Sequence, residues 1–166
     1  MPSSRSVSCA WSVGHFLDRL ASSDPAPGGG SASALAGALG CSLGLMVGGI
    51  LLSRPRIPPV EKKRLKKSMS DLQRTAGRFR SLMKEDAQAY EKLVRAQKSG
   101  RGLRQARRNA LACPERICEE SKRAAALLRA IGKKTGPYLG SDVQAGIALL
   151  QGAFQASYAM VEVNRK

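Results

Sequence analysis

A carboxylate stands where a helix seam calls for an apolar side chain. Leu65, Met69, Leu72, Ala76, Phe79 and Met83 recur in steps of four and three, and Asp86 occupies the next position before Tyr90 and Leu93. An acid held on such a seam loses water. Its neutral form is then favoured, and proton exchange moves toward neutral pH. That is the chemistry of a general acid–base group. A buried ion pair with one of the arginines, or a seam that turns outward at this point, accounts for the same spacing equally well.

A second arrangement with chemical potential is Asp24-Pro-Ala-Pro-Gly-Gly-Gly-Ser31. Prolines and glycines stop a helix, and Ser31 reads as the N-cap of the next. Gly28, Gly29 and Gly30 would let a ligand reach the backbone, and free N–H groups at a helix start attract anions. The pattern is neither Gly-x-Gly-x-x-Gly nor a phosphate loop followed by Gly-Lys-Ser/Thr, so on its own it reads first as a plain tight turn. Ser141-Asp-Val-Gln144 matches a capping box, and Ser141 and Asp142 read first as helix-capping groups. His15 reads as an exposed helix residue, because no serine or cysteine nucleophile is arranged with it. Cysteines at 9, 41, 113 and 118 form no Cys-x-x-Cys pair, and with one histidine in the chain no metal site is expected.

The elements that must position these groups are helices. Val13, Phe16, Leu17 and Leu20 mark a short helix over about 12–22. From Pro25 to Ser53 no charged residue occurs. Within that stretch Ala32, Ala36, Gly40, Gly44 and Gly48 form a stripe of small side chains, with Leu35, Leu39, Leu43 and Val47 beside it. Length and small-xxx-small spacing would suit a membrane span. The modest hydrophobicity of Ala, Gly and Ser, and the amphipathic helices that follow, favour a buried central helix of a soluble bundle. After Arg54-Pro-Arg-Ile-Pro-Pro59 a long helix runs over about 60–98, and Lys98-Ser-Gly-Arg-Gly102 ends it. Another covers about 103–134 with Leu103, Ala106, Ala110, Cys113, Ile117, Ala124, Leu128 and Ile131 inward, kinked or restarted at Pro114. The last opens at Ser141, with Val143, Ile147, Leu150, Phe154 and Val161 inward. No alternating strand pattern and no repeat is found. The fold expected is all-α, a bundle of long antiparallel helices around a small-residue central helix.

The 166 residues suit one domain. Twenty-eight Lys and Arg against 12 Asp and Glu give a formal charge of +16, which suits anionic ligands. Lys62, Lys63, Arg64, Lys66 and Lys67 are clustered, but aromatics make up only 4% of the chain, so base stacking on nucleic acid is the weaker reading. The first residues lack an apolar signal region, and the cysteines suggest a reduced compartment, so a cytoplasmic protein without membrane contact is expected.

Taken in order, Phe16-Leu-Asp-Arg-Leu-Ala21, Pro25-Ala-Pro-Gly-Gly-Gly-Ser31, Asp86-Ala-Gln-Ala-Tyr90, Pro114, Gly140-Ser-Asp-Val143 and Val161-Glu-Val-Asn164 resemble the cyclodeaminase/cyclohydrolase family. That family includes methenyltetrahydrofolate cyclohydrolases and the C-terminal domain of formiminotransferase-cyclodeaminase. The resemblance spans most of the chain, and residues 1–166 read as one such domain, short at its C-terminus. The Pro-Ala-Pro-Gly-Gly-Gly-Ser motif is its most specific part. It implies an all-helical homodimer with folate near the subunit interface, Asp86 as the catalytic acid–base, and a tetrahydrofolate derivative as substrate with no further cofactor. Gly28, Gly29, Gly30, Ser31, Tyr90, Ser141, Asp142 and Asn164 would contact or position the ligand, and the excess of Lys and Arg would hold a glutamate or polyglutamate tail. Arg54-Pro-Arg-Ile-Pro-Pro59 replaces a Gly-Lys element usual in relatives, and Met160 stands where they often carry Asn.

Overall fold

The computed structural model describes residues 7–8, 10–133 and 135–165; Cys9, Lys134 and the N-terminal residues on which the leader reading rests lie outside them. Among these residues five helices follow one another: α1 (Val13–Leu20), α2 (Gly29–Leu52), α3 (Pro59–Ser99), α4 (Leu103–Gly132) and α5 (Pro137–Arg165). No strand occurs among the described residues. The four long helices pack side by side in the order α2, α3, α4, α5, with α5 closing back on α2. Short connections make successive helices antiparallel, as in an up-and-down bundle.

The local reasons are ordinary ones. Ser12 caps α1, its Oγ accepting from the His15 N–H at 3.1 Å. Pro59 opens α3 at a position where its missing N–H costs nothing, and Gly100 ends it with φ 68°. Gly102, at φ 67°, leads into α4. The core forms where the seams meet: Leu72, Phe79 and Leu82 of α3, Ile117 and Leu128 of α4 and Leu150 of α5 are fully buried.

Small residues let α2 lie close to its neighbours. A Cβ on Gly40 would come within 2.8 Å of the Gly146 carbonyl oxygen of α5, and one on Gly44 within 2.7 Å of Leu72. Gly40, Gly44 and Gly48 are buried as the stripe requires, whereas Ala32 and Ala36 are half-buried. The leucine stripe departs from expectation. Val47 is buried and Leu35 and Leu43 are half-buried, but Leu39 is 49% exposed, with Met46 and Ile50 at 43% each. The helix is therefore apolar on every side yet packed on only part of its circumference. By length and composition it is the one helix among the described residues that could cross a membrane, and its seam is occupied by α3, α4 and α5.

Three further expectations are corrected. On α1 only Phe16 is buried, while Val13 and Leu17 face outward. Pro114 does not restart α4, which runs through it as one helix. Ser141 does not cap α5, because Pro137 starts that helix four residues earlier; its Oγ instead donates to the Tyr138 carbonyl at 2.6 Å.

Candidate active site

Asp86 meets the first turn of α2. Gly28 is the N-cap of that helix and offers no side chain, so Ser31 lies inside the helix rather than capping it. The missing cap comes from another helix. Asp86 on α3 accepts from the Ser31 backbone N–H, and the Ser31 Oγ donates to the Met83 carbonyl at 2.9 Å and lies 3.3 Å from Asp86 Oδ2. A carboxylate at a helix N-terminus is electrostatically favoured, since the unpaired N–H groups there carry partial positive charge.

Two opposed influences set the proton affinity of Asp86. Burial is the larger and raises its pKa above the ordinary 3.8; the side-chain and backbone hydrogen bonds from Ser31 pull it down. The net direction is upward. No arginine or lysine is paired with Asp86 among the described ion pairs, so the buried-ion-pair reading of this residue does not hold. What the geometry provides is a half-buried acid held by a hydroxyl and an amide at the edge of a cavity.

Gly30 makes this contact feasible. A Cβ built on it would overlap the Asp86 carboxylate, so only hydrogen leaves room for the acid over the helix end. Gly29 is covered by Met160, whose Sδ would lie 3.4 Å from a Cβ there. The Ala26–Pro27 peptide that leads into the turn is cis.

Around Asp86 a cleft of about 350 Å³ opens at one end of the bundle. Its walls include Gly28, Gly29 and Gly30 from α2 and its cap, Tyr90 and Leu93 from α3, Ala110 and Pro114 from α4, and Met160 and Asn164 from α5. Tyr90, at 46% exposure, stands at the rim where the α3 seam leaves the core. Proline has no N–H, so Pro114 deprives the Ala110 carbonyl of its usual helical donor. Both residues border the cleft.

The structure thus gathers Gly28, Gly29, Gly30, Asp86, Tyr90 and Asn164, with Ser31 buried directly beneath Asp86. It does not bring Ser141 or Asp142 to them. Both sit at the start of α5 and Asn164 at its end, and a rise of about 1.5 Å per residue puts roughly 35 Å between them. Met160, Leu93 and Ala110 were not expected as lining residues. Leu93 and Ala110 look like ordinary seam positions, although Pro114 inside a helical pattern marks Ala110, four residues earlier, as lacking its usual helical donor.

Among the described residues no group of three His, Cys, Asp or Glu is placed to hold a metal ion. Cys41, Cys113 and Cys118 are buried and free. Burial pushes the Cys41 thiol up to about 12 and the Cys113 thiol to about 11, and it raises Cys118 as well. None is therefore a ready thiolate nucleophile at neutral pH.

Comparison with known proteins gives the family of this helical fold. The chain is 36% identical over 123 residues to a methenyltetrahydrofolate cyclohydrolase of Methylorubrum extorquens, a match covering 63% of this chain and 57% of that protein. The chain therefore spans little more than half the length of that relative. Its fold matches the crystal structure of a formiminotetrahydrofolate cyclodeaminase from Thermotoga maritima with a TM-score of 0.87 and 26% identity, over 93% of this chain and 78% of that one. Residues 12–166 match the formiminotransferase-cyclodeaminase family, and the chain belongs to that family.

Proposed function

We propose that this protein is a folate one-carbon enzyme. It hydrolyses 5,10-methenyltetrahydrofolate to 10-formyltetrahydrofolate, or in the related reaction cyclises formiminotetrahydrofolate with loss of ammonia. The observation that carries this reading is a half-buried, hydrogen-bonded Asp86 on a cleft of ligand size, with no cation paired to it among the described residues.

The methenyl bridge is an amidinium-like cation. A carboxylate beside it stabilises that charge through a medium of low dielectric, where the attraction is worth far more than in water. Water attacks the bridge carbon and gives a proton to Asp86, leaving a carbinolamine. The bond from that carbon to N5 then breaks as N5 takes the proton from Asp86 and the carbinol O–H loses its proton to solvent, leaving the formyl group on N10. In the deaminase direction N10 attacks the formimino carbon, and the protonated acid gives its proton to the departing ammonia. A carboxyl with a raised pKa is suited to both roles. Ser31 and Gly30 hold the acid; Tyr90 and Asn164 border the space the ligand would fill. No metal or further cofactor is invoked, and Ser141 and Asp142 lie at the opposite end of α5 from this cleft.

Purified protein mixed with 5,10-methenyltetrahydrofolate should remove its absorbance well above the spontaneous rate, and a parallel assay with the formimino substrate should be read as ammonia release. Activity on one names the reaction. Rates equal to the buffer blank on both would remove the reading and leave a non-catalytic binding protein.

We also propose that the protein is a homodimer joined through the outward face of α2. Leu39, Met46 and Ile50 recur at helical spacing on that face, and each is more than two-fifths exposed. Large apolar groups clustered in this way mark association surfaces. Light scattering after size exclusion should give twice the chain mass for the wild type and the single chain mass for a Leu39→Glu/Met46→Glu double variant. A monomeric wild type at micromolar concentration would exclude the dimer. The buried free thiols support a reduced, cytoplasmic setting, which fractionation of cells expressing the protein would test. A nucleic-acid role is disfavoured by the scarcity of aromatics for base stacking, and filter binding at low salt would expose it.

A further inference from the structure

A groove of about 340 Å³ lies between α4 and α5, and it shares no lining residue with the acid cleft. Ser121, Lys122 and Arg129 of α4 border it on one side, and Gln151, Phe154 and Gln155 of α5 on the other. Lys122 and Arg129 stand two turns apart on one face of α4, with about 10 Å of rise between them. Both are exposed, and neither has a carboxylate partner among the described ion pairs. The Lys122 Nζ instead lies 4.9 Å from the centre of the Phe154 ring. At an exposed site that attraction is weak, and an anion is the stronger partner for an ammonium group.

Ser121 distinguishes this groove from a solvated basic face. It is 1% exposed, and its Oγ has no hydrogen-bond partner among the described residues. A serine inside a helix can return its proton to the carbonyl one turn back. Ser33 and Ser42 do so, to Gly29 at 2.7 Å and to Ala38 at 2.9 Å, and Thr75 does the same to Asp71 at 3.1 Å. Ser121 does not. Folding therefore takes its hydroxyl out of water with nothing in exchange, a cost that alanine would avoid. The helix dipole accounts for Arg129, which stands in the last turn of α4. It does not account for a bare hydroxyl on the floor of a cationic groove.

We infer that this groove is a second binding site and that its ligand is a small organic phosphate ester. The lining decides the class. A guanidinium, an ammonium, a hydroxyl and two carboxamides supply N–H and O–H donors, and no carboxylate occurs among the described lining residues. A phosphoryl group offers three terminal oxygens to such donors, and nearly two negative charges to match two cations. Leu150 and the Phe154 ring give the organic part an apolar wall. A groove near the lower end of the size range of small-molecule sites suits a sugar phosphate better than a nucleotide with its base. An ester oxygen supplies the acceptor that Ser121 lacks.

Ribose 5-phosphate is the probe, with ribose as its neutral control and succinate as a dicarboxylate of like charge. Each is titrated calorimetrically into the wild type and three variants. The wild type should take up one ribose 5-phosphate per chain, bind succinate more weakly and give no heat with ribose. Arg129→Gln should weaken the phosphate about tenfold, the usual worth of one charge-assisted hydrogen bond. Ser121→Ala should act in two directions at once. Binding should weaken several-fold, while the ligand-free protein melts higher because an unpaired buried hydroxyl has gone. Lys63→Gln/Lys67→Gln, which removes charge from α3, should bind as the wild type does. No saturable uptake by the wild type, or tighter binding of succinate, would overturn the inference. So would equal weakening in the α3 variant and Arg129→Gln, or a Ser121→Ala protein that keeps full affinity.

Discussion

Replacing Asp86 with asparagine is expected to lower kcat by about 10²–10⁴-fold, the usual worth of a placed acid–base group, without destabilising the fold at pH 7. Asparagine keeps the shape and an oxygen for the Ser31 donors, but it neither carries charge nor accepts the proton of the attacking water. The stability half follows from burial. Asp86 is harder to ionise in the folded protein than in the unfolded chain, so above its raised pKa the ionised group subtracts from stability. That subtraction fades as pH falls through the folded value, and it is gone below the ordinary 3.8, where both states hold the proton. Urea melts should therefore place the variant at or above wild type at pH 7, with the gap closing in acid. The wild-type hydrolysis rate should rise with pH through the same raised value, because the base must be ionised. Activity retained within threefold would discard Asp86 as the acid–base. A variant much weaker than wild type at pH 7 would make the carboxylate structural instead.

Gly30→Ala should be nearly as damaging to turnover for a different reason. One added methyl group occupies the space of the Asp86 carboxylate, and the acid must rotate off the Ser31 donors or the first turn of α2 must shift. A displacement of about 1 Å in a reacting group costs on the order of 10²-fold in rate. Alanine in place of glycine favours the helix by about 1 kcal/mol, which offsets part of the clash, so the fold should survive. The signature is a large fall in kcat with a melting temperature changed by only a few degrees. Gly29→Ala, whose new methyl would meet only the flexible Met160 side chain at 3.4 Å, serves as the matched control and should lose far less. Equal activity of Gly30→Ala and wild type would mean that the carboxylate does not need its place over α2.

The helices were legible because their seams repeat with the helical period, and the buried positions from Leu72 to Met83 fall where that period puts them. Asp86 was legible as a lone acid on the seam. Its engagement with α2 was not, since the contact joins positions 55 residues apart and no local pattern encodes it. The same contact explains why Ser31 was misread as a cap: the cap is supplied by α3, and glycines can then enter the helix ahead of the serine. For Ser141 the capping-box spacing outweighed a better signal, Gly136-Pro137, with proline at the first helical position. The outward face of α2 was hidden for a simpler reason. A helix apolar on all sides carries no preference that tells which side meets solvent. The groove around Ser121 was visible only as surplus charge until α4 and α5 packed together to form it.

The hydrogen bond from the Ser31 amide to Asp86 also makes the protein its own indicator. When Asp86 gains a proton, that amide loses an anionic acceptor, and its resonance in a ¹⁵N-resolved NMR spectrum should move with the local titration. One backbone signal on α2 would then follow the protonation of a side chain on α3 without substrate, turnover or added dye. Binding of a cationic ring beside the carboxylate should shift the same titration toward acid, so the occupancy of the cleft would be visible at a residue the ligand need not touch.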